Sequence, residues 1–122
     1  MTKYDPDQAP DVAAWLALDE GDRVALVQAY HQQHGIALPN ERLHAAIHVV
    51  VENQLAIPER DVVDALDRLQ RQGLSRHDAV HAIGALVSEQ IAAALNPAAS
   101  NDPAGSYLAR VRRLSAEDWR AR

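Results

Sequence analysis

The sequence predicts an all-α fold, a small up-down helical bundle with a C-terminal amphipathic tail helix. Apolar residues recur every three or four positions in each long segment, and none of these segments alternates apolar and polar residues as a β-strand would. Glycine, proline and asparagine are concentrated between the segments, where they end one helix and begin the next. Short loops between the resulting helices favour antiparallel neighbours.

Breakers and capping residues give the bounds of the first three predicted helices. A short helix around residues 11–18 precedes a longer one over 20–34, which Gly35 stops. Asn40 is expected to cap a third helix over 41–56, because its side chain can accept a hydrogen bond from a free backbone N–H of the first turn.

The same signals predict two further helices before residue 96. Pro58 suits the first turn of a fourth helix, which ends at Gly73. Ser75, followed three residues later by an aspartate, resembles a capping box and starts a fifth helix that runs to Leu95. An Asn-Pro pair then ends that helix.

The last part of the chain is predicted to be an appendage of the bundle. "NPAASNDPAGS" has the composition of a linker, and "YLARVRRLSAEDWRAR" is a short Arg-rich amphipathic helix with a break at Ser115. We therefore expect residues 1–96 to form a helical bundle domain, with 97–122 as a linker and tail helix packed on the same domain.

Composition excludes several classes of protein and of site. The 122 residues suffice for one domain, and the absence of cysteine leaves only nitrogen and oxygen ligands for any metal. No apolar run is long enough for a membrane span, and "MTKYDPDQAP" does not resemble a signal peptide, so we expect a cytoplasmic protein without a membrane partner. A net charge of −5 without a basic stripe argues against nucleic acid.

Two histidine motifs carry the chemical content of the sequence. "HAAIHVV" at 44–50 and "HDAVHAI" at 77–83 share the pattern His-x-Ala-(Ile/Val)-His-x-(Val/Ile). A spacing of four residues puts both rings of a pair on one face of a helix. In each helix the pair lies on the same flank of the apolar face, which indicates a half-buried position at a helix-helix seam.

The expected connectivity brings further histidines to these two pairs. His31 and His34 occupy the C-terminal end of the second helix, which should lie beside the N-terminal halves of the third and fifth helices. All six histidines are therefore predicted at one end of the bundle. Glu52 is about 12 Å along the axis from His44, so it is a ligand only together with His48, or a hydrogen-bond partner of a ligand.

A divalent transition metal such as zinc, iron or nickel is the first interpretation of this cluster, because imidazole nitrogen suits all three ions. The predicted principal ligands are His44, His48, His77 and His81. The predicted auxiliary residues are His31, His34 and Glu52. Catalytic residues, and whether the protein is an enzyme at all, stay open.

Two other interpretations remain. In the first, the histidines form a metal-free polar network of a structural or protein-interaction module, which contacts a partner or a second copy through the C-terminal helix. In the second, an anion binds at two helix N-termini beside Arg42 and Arg76.

The segments "LPNERLHAAIHVVVENQLA" and "RLQRQGLSRHDAVHAIGALVSEQI" also carry a resemblance. They resemble a bacterial family of small helical proteins that is defined as a domain of unknown function. That family has a His-x-x-x-His-x-x-x-Glu-Asn-Gln helix followed by an Arg-His-x-Ala-x-His helix. The likeness covers roughly residues 20–95 and implies a bacterial protein, but it implies no catalytic residues.

Overall fold

The computed structural model describes residues 1–96 and 106–122, and it confirms the all-α fold. Within these residues there is no β-strand. The helices are α1 (Val12–Ala17), α2 (Glu20–Gln33), α3 (Glu41–Ala56), α4 (Arg60–Arg71), α5 (Arg76–Leu95), α6 (Ser106–Arg113) and α7 (Ala116–Arg120). None of the helices in the described part of the chain combines the length and hydropathy needed to cross a lipid bilayer.

The predicted caps and stops are confirmed at most helix ends. The side chain of Asn40 accepts a hydrogen bond from the third backbone N–H of α3, and Ser75 does the same for α5. Gly35 and Gly73 end α2 and α4 with φ angles of 66° and 102°, a left-handed conformation that favours glycine. The prediction for Pro58 was wrong, because α4 begins only at Arg60 and the proline lies in the preceding turn.

Helix α3 is the central element, since it packs against α2 on one side and against α5 on another. It contributes to two separate apolar cores. Val51 belongs to a larger core built with α4, α5 and the tail helices, whereas Ala45 and Val49 belong to a smaller one. The smaller core also contains Tyr4, Trp15 and Val27. The N-terminal half of α3 is therefore enclosed by α2, α5 and the residues before α1.

A single glycine lets α3 and α5 approach closely. A Cβ atom placed on Gly84 would lie 2.9 Å from Cγ2 of Ile47, which is closer than real Cβ contacts allow. The residue is fully buried in the middle of α5, where glycine costs about 1 kcal/mol relative to alanine. We attribute the presence of glycine at this position to the close contact between α3 and α5.

The tail helices pack against α4 and α5. Arg68 of α4 donates hydrogen bonds to the carbonyl oxygens of Val111 and Leu114 at the end of α6. Ser115 breaks the tail as predicted, and its side chain forms a capping box with Asp118. Residues 97–105 of the predicted linker lie outside the described residues.

Candidate metal centre

Four histidines from three helices converge at one end of the bundle. His31 comes from the last turn of α2, the pair His44 and His48 from α3, and His81 from the second turn of α5. One ring nitrogen from each lies within 4.8 Å of the corresponding nitrogens of the other three. The seam that the sequence predicts between the third and fifth helices is therefore present, and α2 closes it from a third side.

The Nε2 atom of His48 is the centre of the cluster. It lies 3.1 Å from Nε2 of His44 and 2.9 Å from Nε2 of His81. An imidazole nitrogen offers either one N–H or one lone pair in the ring plane, so it forms one well-directed hydrogen bond. A single hydrogen bond of His48 Nε2 therefore accounts for only one of these two close contacts.

The other nitrogen of His48 has a hydrogen-bond partner that determines the tautomer. The hydroxyl of Tyr4 lies 3.2 Å from Nδ1 of His48 and donates its own proton to Oε2 of Glu52 at 2.5 Å. Because that proton is directed at the carboxylate, the Tyr4 oxygen must accept from Nδ1–H of His48. The Nε2 atom of His48 then carries a lone pair that faces the cluster.

A buried ion pair supports this arrangement. Both carboxylate oxygens of Glu52 accept hydrogen bonds from Arg76, at 2.9 and 2.7 Å. Arg76 also donates to the carbonyl oxygen of Pro6, so the ion pair fastens the N-terminal segment, residues 1–10, to α3 and α5. Burial, followed by the charge of Glu52, raises the pKa of Tyr4 well above its usual value, which keeps the phenol protonated.

The second buried histidine, His31, presents a free nitrogen as well. Its Nδ1 atom lies 2.9 Å from the carbonyl oxygen of Val27, which can only accept, so Nδ1 carries the proton. The Nε2 atom is buried and has no hydrogen-bond partner within the described residues. A buried nitrogen without a partner costs free energy and needs an explanation, of which a bound ion is one. Nε2 of His77 is also buried without a partner within the described residues.

The surroundings favour the neutral form of His44, His48 and His81. Burial, followed by the proximity of His81 and other rings, lowers the pKa of His48 to about 2. Burial and the neighbouring His77 and His44 lower the pKa of His81 to about 3. The pKa of His44 is lowered for the same two reasons, burial first. Neutral imidazole is the form that binds a metal.

A cavity of about 260 Å³ opens onto the cluster. Three of the four histidines line it, namely His44, His48 and His81. The remaining wall is mainly apolar and includes Ile47, Val80 and Trp119. His31 is not among the lining residues, so the cavity reaches the cluster from the side of α3, α5 and α7.

The predicted histidines do not all join the group. His77 was expected to be a principal ligand and His31 an auxiliary one, but the four-nitrogen group contains His31 and not His77. The ring of His77 lies at the first turn of α5, 4.3 Å from the ring of His81 and 5.7 Å from that of Tyr30. His34 lies apart from the group, because it follows the last residue of α2, is exposed and packs on Tyr30.

Two of the charged residues named from the sequence, Glu52 and Arg76, are paired with each other. Glu52 is buried, and its oxygens are engaged by Arg76 and Tyr4, so it acts on His48 only through the Tyr4 hydroxyl. The proposed anion site of Arg42 and Arg76 needs a correction, since Arg76 is buried in its ion pair with Glu52 while Arg42 is exposed on α3. The ion pair leaves no free guanidinium on Arg76 for an anion.

Tyr4 is the residue that sequence reasoning missed. It lies in an irregular segment, 44 residues before His48, and no periodicity connects the two. Its signal in the sequence is modest, a single aromatic residue among polar and proline residues. Comparison of the chain with protein-family models, with curated proteins and with solved structures found no match.

Proposed function

We propose that this protein binds a divalent transition metal ion through His31, His44, His48 and His81. The observation that carries the proposal is the convergence of four imidazole nitrogens within 4.8 Å. Nitrogens that share a tetrahedral ion at 2.0–2.1 Å lie about 3.3 Å apart. Small rotations of the rings would therefore bring the four nitrogens into a coordination sphere.

The tautomers support a metal ion over hydrogen bonding alone. His48 and His31 each use Nδ1–H in a hydrogen bond outside the cluster, so both have a lone pair left at Nε2. A cation satisfies several lone pairs at once, whereas the Nε2 atoms of His44 and His81 both lie beside that of His48 and leave Nε2 of His31 without a partner among the described residues. The Tyr4 and Glu52 contacts also resemble the hydrogen bonds that orient histidine ligands in metal sites.

The ligand set limits the choice of metal. It contains only neutral nitrogen, which suits zinc, iron and nickel and disfavours magnesium and calcium, whose usual ligands are oxygens. Zinc fits a four-nitrogen set of this size without a further ligand.

A metal-free network is the second candidate, and one distance favours it. The separation of 2.9 Å between Nε2 of His48 and Nε2 of His81 is that of an ordinary N–H···N hydrogen bond and is shorter than the spacing of two ligands on one ion. In that case the cluster would only stabilise the packing of α2, α3 and α5, and the function would be structural.

Elemental analysis and calorimetry separate the two candidates. Protein purified without an affinity tag should contain close to one equivalent of zinc, iron or nickel, and chelated protein should take up one equivalent of zinc. Replacing both His48 and His81 with Ala should abolish uptake. His34→Ala is the matched control, because His34 is a histidine of the same region outside the group. Absence of uptake by the chelated wild-type protein would leave the metal-free network.

A further inference from the structure

The cavity beside the cluster gives an ion bound there an accessible side. His44, His48 and His81 all contribute to its wall, so an ion held by their Nε2 atoms would face its interior. Its outer rim reaches solvent at Ser88, which is exposed. A small molecule could therefore reach the ion without rearrangement of the bundle.

The charge of the site favours an anion on the side of the ion that faces the cavity. Four neutral imidazoles leave a divalent ion with its full charge of +2, since no carboxylate belongs to the group. Glu52, the carboxylate linked to His48 through Tyr4, is already neutralised by Arg76. A buried charge without compensation is costly, so an anion from solution would bind with favourable energy.

The wall of the cavity indicates what kind of anion this is. Ile47, Val80 and Trp119 present apolar surface, and none of the described residues that line the cavity is Lys or Arg. The anionic group must therefore bind to the ion itself, while the rest of the ligand contacts hydrocarbon. A volume of about 260 Å³ is below the range of roughly 300–1,000 Å³ of drug-sized ligands, which limits the ligand to a few carbon atoms.

We propose that the metal ion keeps a coordination position open toward this cavity and binds there a small carboxylate with a short aliphatic body. The inference depends on the proposed metal binding and adds the ligand class of that site. A four-histidine ion with this ligand would be five-coordinate, an expansion that zinc accepts and that cobalt, iron and nickel also adopt.

Cobalt(II) serves as the probe because its visible absorption reports coordination number. The full-length, tag-free protein is loaded with one equivalent of Co²⁺, measured by calorimetry, and titrated with acetate, propionate and butyrate. We expect a saturable change in the visible spectrum with each acid. Burial of one methylene group contributes about 0.8 kcal/mol, so the affinity should rise about fourfold per carbon from acetate to butyrate.

A cavity-filling variant tests the place of binding. Ala85 lines the cavity without belonging to the four-histidine group, so Ala85→Leu should retain Co²⁺ binding and lose at least tenfold in butyrate affinity. Ser88→Leu fills the exposed rim and should have the same effect if Ala85→Leu fails to fold. Ala92→Leu is the matched control, because Ala92 is exposed on the same helix and does not line the cavity.

The outcomes are distinct. If the protein takes up no Co²⁺, the metal site itself is refuted, and the inference with it. If Co²⁺ binds but no carboxylate changes the spectrum, only the open position is refuted. Equal affinities for acetate and butyrate, or an unchanged butyrate affinity in both leucine variants of the cavity, would show that the ligand does not occupy the cavity and would overturn the inference.

Discussion

Replacement of Tyr4 with Phe removes one oxygen atom from the centre of the buried network. The ring would keep its packing against Trp15 and Tyr30, whose centroids lie 5.9 and 6.3 Å away. The hydroxyl's hydrogen bond to Glu52 would be lost, and Nδ1–H of His48 would be left buried without its acceptor. A hydrogen bond to a charged group contributes about 1.5–3 kcal/mol and an unsatisfied buried donor costs about 1–3 kcal/mol. Allowing for overlap, we expect a loss of about 2–4 kcal/mol in the free energy of unfolding.

Urea unfolding of chelated protein at pH 7.5 measures this loss. With a slope of about 1–3 kcal/mol per molar urea for a small protein, the midpoint should fall by roughly 1–2 M while the slope stays constant. The same variant should bind zinc about 10–100-fold more weakly, since the partner that orients His48 is gone.

Tyr30→Phe is the matched control for this variant. It removes a phenol hydroxyl that makes no hydrogen bond within the described residues, and it should change the free energy of unfolding by no more than about 0.5 kcal/mol. Equal stabilities of the two variants, together with equal zinc affinities, would refute the assignment of Tyr4 as the hydrogen-bond partner of His48.

Three further outcomes are expected. The pKa values of about 2 for His48 and about 3 for His81 lie below the ordinary value of 6.5, so the unfolded state binds more protons in between. The stability that these two neutral histidines contribute should be fully present above pH 6.5 and should decline as the pH falls toward 3, by up to about 1.4 kcal/mol per pH unit per histidine. Urea midpoints that do not change between pH 7.5 and 5 would contradict this. The free energy of unfolding of chelated protein should rise by about 2.7 kcal/mol when free zinc reaches one hundred times its dissociation constant. Thermal unfolding with and without zinc measures this gain, and an unchanged melting temperature would argue against the site. In Gly84→Ala the contact with Ile47 should cost about 1–3 kcal/mol, and the better helix propensity of alanine should return about 1 kcal/mol, for a net loss of about 0–2 kcal/mol in the free energy of unfolding. Ile47→Ala in the same chain should recover part of the contact cost in a double-mutant cycle; strictly additive effects would show that the two residues do not meet.

Helix positions could be predicted from the sequence because their signals are local. Asn40 and Ser75 bond to N–H groups three residues away, and Gly35 and Gly73 end helices through their own backbone conformation. Such interactions are decided within one turn, before any packing is considered. Pro58 is the exception, since a proline suits both a turn and the first turn of a helix.

The membership of the site was only partly predictable. The four-residue spacing of His44 and His48 places both rings on one face of α3 whatever surrounds it, and that pair belongs to the group. The choice between His31 and His77 depends on how α2 and α5 are rotated about their axes. That rotation follows from contacts between distant segments, such as the close approach at Gly84, and no periodicity of a single helix specifies it.

The N-terminal segment has a consequence for the order of folding. Its hydrogen bonds join Tyr4 to His48 across 44 residues, and Pro6 to Arg76 across 70. Contacts that close such long loops form late, after helices that are neighbours in sequence have paired. By the same reasoning the segment can detach while the helices stay intact, as a local opening with a smaller free energy than global unfolding. We therefore expect hydrogen exchange in residues 1–10 to be faster than in α3 or α5, and each opening of this segment to leave Nδ1–H of His48 without the acceptor that orients its ring.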